Sequence, residues 1–204
     1  MAADEARICA EVGKPRLAGA PLAAATANRP MISSRTGKRV AIQPSGVDIF
    51  NFDLNGFLIL KNALTAEEVT ALNATLDAMP PLQPQEWYGR VHRQDYVHAD
   101  VPPWGVNLQN IVEAGAAFEN LIDHPSWLGY CQKFVGQEDL YIDENFVTIR
   151  DTAGTGSPLH SGAHKRAMRT QFRYHDGKFH CGEINILIAL DDVGPSDGAT
   201  VVRE

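Results

Sequence analysis

Four of the seven histidines lie between positions 160 and 180: His160, His164, His175 and His180. A neutral imidazole nitrogen is a good donor to a first-row metal ion. The arrangement with the most chemistry attached is two histidines and one carboxylate on one face of the ion, with the opposite face left open for reactants. The first histidine and the carboxylate then stand two residues apart at a strand edge. His160-Ser161-Gly162 follows an expected strand and a Gly/Thr/Ser-rich turn, the right setting for a first ligand, and this makes His160 the best metal-ligand candidate. Gly162 delivers no carboxylate. Asp176 and Glu183 are the local acids that could substitute, both weakly. Asp176-Gly177 reads as a turn, and Glu183, three residues after His180, would sit on the opposite face of a strand from it unless a bulge intervenes. The residues alone support a metal-site candidate over 160–183, set against four ordinary polar loop histidines.

Other chemistries find less support. There is no Ser/His/Asp set, no phosphate-cradling glycine loop and no paired catalytic carboxylates. A zinc hydrolase built on His160 and His180 lacks its general base and its ligand spacing. Asp191-Asp192 reads as solvated acids at a strand end. Arg166, Arg169 and Arg173 form a basic run after His160. They read as solvated loop charges, with the sharper alternative that one grips an anionic substrate or cosubstrate. The formal net charge of -7 argues against nucleic acid and anionic membrane surfaces as partners. No apolar run reaches the roughly 18 residues a membrane span needs. Cys9, Cys131 and Cys181 are odd in number and widely spaced, which argues against a disulfide framework and fits a reducing, cytoplasmic setting.

The elements that must position these residues follow from periodicity and caps. Residues 1–45 are rich in Ala, Gly, Pro, Ser and Thr and read as a disordered or loosely attached leader. Order is expected from 46 to 204. Phe52 to Leu60 reads as a turn and a short buried strand. Thr65 and Glu68 form a capping-box pair at the head of a helix whose Val69, Leu72, Leu76 and Met79 share one face, and Pro80-Pro81 stops it. Residues 81–115 read as irregular, either a surface loop region or a lid over a pocket. Phe118 to Phe134 suggests helix, broken at His124-Pro125, with Ser126 as a cap for its second part. Tyr141 to Arg150 reads as a strand, and Glu183 to Leu190 as a buried strand. A further strand begins at Ala199 and the chain stops at Glu204, which reads as a C-terminal truncation, since strand hydrogen-bonding groups need partners.

Taken in order, these segments resemble the phytanoyl-CoA dioxygenase (PhyH) family. The opening Phe52–Leu60 segment and Leu64-Thr65-x-x-Glu68 match its start, and Leu159-His160-Ser161-Gly162 its first metal segment. Phe179-His180-Cys181-Gly182 fits a bacterial branch. The most specific match is Ile186-Leu187-Ile188-Ala189-Leu190-Asp191-Asp192 through Gly198-Ala199. The resemblance covers about residues 48 to 202. It implies an α+β fold with a double-stranded β-helix (jelly-roll or cupin-like) core and flanking helices, incomplete at the C-terminus. It implies iron(II) and 2-oxoglutarate as cofactor and cosubstrate, O2 and a small organic molecule as reactants, and hydroxylation of an unactivated C–H bond. His160 would hold the metal. Asn145 and Thr148, on the strand before it, are weak candidates for contacting 2-oxoglutarate. The family's second histidine and cosubstrate arginine follow the point where this chain stops, so neither is assigned. Gly162 in place of the family's aspartate leaves three readings open: a halogenase-like variant, another acid as the oxygen ligand, or a metal-poor, catalytically inactive member or fragment acting as a binding module.

Overall fold

The computed structural model describes residues 5–12, 40–94, 105–136, 140–150, 170–194 and 200. The chain forms β1 (Glu5–Val12), α1 (Gly46–Asn55), α2 (Ala66–Asp77), β2 (Trp87–Tyr88), β3 (Val91–Arg93), β4 (Val106–Gln109), a 3-10 turn at Ile111–Ala114, α3 (Ala116–Glu119), α4 (Leu128–Val135), β5 (Tyr141–Ile149), β6 (Phe172–His175), β7 (Lys178–Cys181) and β8 (Glu183–Ala189). Six strands make one sheet in the order β2-β3-β4-β5-β1-β8, and β6 and β7 form a separate hairpin. The sheet is antiparallel from β2 to β5 and parallel from β5 through β1 to β8.

The capping box forms as expected. Thr65 Oγ1 accepts the Glu68 N–H at 3.2 Å, and Glu68 Oε2 accepts the Thr65 N–H at 2.8 Å, so two otherwise unpaired amides at the head of α2 find acceptors. Leu72 is 1% exposed, and Leu76 and Met79 pack beside it. Strand period explains the rest of the core. Leu108 and Val147 are cross-strand partners on one face, and Ile188 extends that face into β8. Leu72, Phe118 and Trp127 from the helical side close over it, removing apolar area from water worth roughly 25 cal/mol per Å2.

Four segments differ from the sequence reading. The turn and buried strand expected over Phe52–Leu60 do not form, and Phe52–Asn55 instead close a helix, α1. Ser45 caps it, with Asp48 reaching back to the Ser45 N–H at 2.8 Å, and Gly56 ends it in the left-handed region at φ 78°. The residues after it, Phe57–Leu60, take no regular structure. The segment expected to be irregular or a lid instead supplies three sheet strands and the 3-10 turn, and buries Leu82, Val91, Leu108 and Ile111. Each strand has only two to four residues, too short to show a period. Ser126 does not cap α4. Its hydroxyl donates to the Ala63 carbonyl at 2.6 Å, and Trp127 takes the cap position. Finally, Glu5–Val12, read as part of a disordered leader, is a strand between β5 and β8.

Candidate metal centre

His160 and Gly162, on which the sequence reading turns, lie outside the described residues, as do His164, Arg166 and Arg169. The remaining candidates are placed, and the fold does not gather them.

Asp176 and Gly177 form the two-residue turn between β6 and β7, with φ of 52° and 74°. Two consecutive positive φ values suit the twist of a hairpin, and Asp-Gly is a favoured pair for them. The Asp176 side chain is 95% exposed and lies 3.3 Å from Nδ1 of its neighbour His175. It points to solvent at a hairpin tip.

Glu183 opens β8. Its register partner on β1 is Glu5, which in turn pairs with Tyr141. Thr148 stands at the other end: Glu11 pairs with both Thr148 and Ala189. Six residues of strand therefore separate the levels of Glu183 and Thr148, about 20 Å at 3.3 Å per residue.

Thr148 is buried on the sheet face opposite the core. Asn107 is its cross-strand partner and donates to its Oγ1 at 3.4 Å, while Gln109 donates to Asn107 Oδ1 at 2.8 Å. Sequence reasoning misses Asn107 and Gln109 because their segment looks irregular. The four residues of β4 are too few to give a periodic signal. Asn145 faces the other way from Thr148, three residues along the strand. Its Oδ1 accepts the Val112 N–H at 3.0 Å and its carbonyl accepts the Asn110 N–H at 2.9 Å. These bonds anchor the 3-10 turn to β5, so its amide oxygen is already engaged.

Two further histidines carry geometry. His175 and His180 stack with centroids 3.8 Å apart and ring planes within 4°. His124 is 2% exposed. Its Nε2 lies 3.2 Å from Glu68 Oε1, and its Nδ1 accepts the Ser126 N–H at 3.3 Å. With Nδ1 an acceptor, Nε2 carries the proton and donates to Glu68. This bond ties the head of α2 to the turn before α4. Cys131 on α4 and Cys181 on β7 are buried thiols, not joined in a disulfide. Burial, with a smaller contribution from Cys181, pushes the Cys131 thiol up to about 12, so it stays protonated and unreactive.

A model of the phytanoyl-CoA dioxygenase (PhyH) family matches residues 52–203. The chain belongs to that family. No curated protein and no solved structure matches it. PhyH membership brings a cupin-like fold at family level and, in general, iron(II) and 2-oxoglutarate. The mixed helix-and-sheet architecture agrees with the α+β expectation. The described residues do not by themselves provide the iron centre: no three His, Cys, Asp or Glu side chains among them could hold one ion. No helix among the described residues is long and apolar enough to cross a membrane.

Proposed function

We propose that this PhyH protein is a non-haem iron(II)- and 2-oxoglutarate-dependent oxygenase that uses O2 to hydroxylate an unactivated C–H bond of a small organic substrate. The family match over residues 52–203 carries this reading. Bound iron would supply the oxidising chemistry, and the chain would supply ligands, orientation and a dry pocket. His160 is the metal ligand we favour, from its position after β5 and a Gly/Thr/Ser turn. Of the substitutes for a carboxylate at 162, Glu183 ranks above Asp176, because it is partly buried on a strand and Asp176 sits on an exposed tip. Asn145 and Thr148 both stay weak cosubstrate candidates, since Asn145 accepts the Val112 N–H and Thr148 accepts from Asn107.

The core is proposed to be a double-stranded β-helix spanning residues 46–204, starting where Ser45 caps α1, with Glu5–Val12 returning as a strand. The two buried thiols favour the cytoplasm. Gly162 supports a second reading, halogenation, in which an anion takes the coordination position a carboxylate would fill. Chloride-dependent formation of a chlorinated product would distinguish it from hydroxylation. Anaerobic titration with iron(II) and 2-oxoglutarate tests the main proposal.

A further inference from the structure

The β6–β7 hairpin has two chemically different faces. Directly opposed residues of an antiparallel pair share a face. Phe172 opposes Cys181 and Tyr174 opposes Phe179. That face is aromatic and packs toward the helices: Phe172 meets the edge of Phe52 at 5.8 Å, and Phe52 stacks on Phe134 at 4.0 Å. On the other face Arg173 opposes His180 and His175 opposes Lys178. Every side chain there is a cation or an imidazole.

Two nitrogens on this second face stand out. Nε of Arg173 and Nε2 of His180 are both shut off from water and have no hydrogen-bond partner. A buried donor without an acceptor is costly, and such groups call for an explanation in an unseen water or ion. His175 is already engaged: its Nδ1 lies near Asp176, and its ring stacks on His180, holding that imidazole in place. The geometry does not suit a cation. The lone pairs of two stacked rings lie in separate, parallel planes and do not converge on one ion, and a guanidinium beside them repels positive charge.

We propose that this hairpin face binds an oxyanion, the carboxylate or phosphate group of a small ligand. Arg173 Nε and His180 Nε2 are its donors, and Lys178 adds positive charge at the rim. A guanidinium is permanently charged and matches both groups. The proposal is independent of iron and of the oxygenase reading.

The test is calorimetric titration of the metal-free full chain with inorganic phosphate and, separately, with succinate, at fixed ionic strength. Saturable one-site binding of either anion is expected, the tighter one identifying the source. Arg173→Gln should weaken it about tenfold or more, as loss of a charge-assisted hydrogen bond implies, and Arg173→Lys should restore part of the loss. His180→Phe keeps the ring stacked on His175 but removes the donor, and should weaken binding severalfold. It carries the test if Arg173→Gln fails to fold. No saturable binding of either anion to the wild type, or wild-type affinity in folded Arg173→Gln or His180→Phe, overturns the proposal.

Discussion

Glu68 joins two structures that a mutation can separate. One carboxylate oxygen closes the α2 capping box on the Thr65 N–H, and the other accepts from the buried His124 ring. Thr65→Ala removes only the cap acceptor for the Glu68 N–H, a loss of about 1 kcal/mol. Glu68→Ala also opens the capping box and removes the acceptor facing His124 Nε2, in a place where the imidazole is 2% exposed. An unsatisfied buried donor costs about 1–3 kcal/mol. The Glu68 side chain is 24% exposed, so water recovers part of this, and the expected total is about 2–3 kcal/mol. For a chain of this length that is a fall in Tm of about 4–12 °C. Urea unfolding of wild type, Thr65→Ala, Glu68→Ala and Glu68→Gln measures it. Glu68→Gln keeps an acceptor oxygen and should fall between the other two variants. If Glu68→Ala is no less stable than Thr65→Ala, the His124 bond contributes nothing and the assigned tautomer is wrong.

Gly129 on α4 lies against the chain at Ile42: a Cβ there would stand 2.2 Å from the Ile42 carbonyl oxygen. Gly129→Ala should therefore destabilise the fold by about 1–3 kcal/mol through backbone displacement, read as a lower urea midpoint, although alanine ordinarily favours helix. Cys131 should resist a thiol reagent at pH 8 in the native protein and react only on unfolding, because its thiol is pushed up to about 12. Quantitative labelling of native Cys131 would contradict the packing of α4 on β7. The Asp48 carboxyl is held below its usual value of 3.8, first by the Ser45 backbone N–H, then by the Ser45 hydroxyl, with Tyr130 adding a smaller share. A depressed carboxyl stabilises the fold above its unfolded value and loses that contribution as pH falls through its folded value. The stability advantage of wild type over Asp48→Asn should thus be full at pH 6 and shrink below pH 3.8.

How much of the fold is legible in the sequence depends on how local the deciding interactions are. Thr65 and Glu68 satisfy each other three residues apart, so α2 is legible from its cap. The strand at 183–189 and the Asp176-Gly177 turn are equally local, but the strand is not buried throughout as expected: within it Ile188 is buried while Leu187 is 52% exposed. Ser45 and Asp48 form the same kind of box at α1, but its apolar residues Val47, Phe50 and Leu54 are exposed, and the pattern shows no core-facing stripe. The β2–β3 hairpin is local but pairs only two residues a side, and β4 is set by long-range pairing onto β5, which no short window contains. Ser126 is a favourable cap residue by type, yet the Ala63 carbonyl across the fold claims its hydroxyl. At the candidate site, residue type singles out Asp176, Glu183, Asn145 and Thr148, which stand on a turn and on strands. It cannot show that register sets Glu183 and Thr148 about 20 Å apart or that the 3-10 turn takes Asn145.

The proposal makes His160 the ligand through which this PhyH chain would hold iron(II), with 2-oxoglutarate as cosubstrate. Its most direct test is anaerobic titration of the full chain with iron(II) and 2-oxoglutarate, monitored by visible absorption, in wild type and His160→Ala. A saturable charge-transfer band in wild type that disappears in His160→Ala is the expected result. No band and no tight iron binding in wild type, or an unchanged band in His160→Ala, would contradict it.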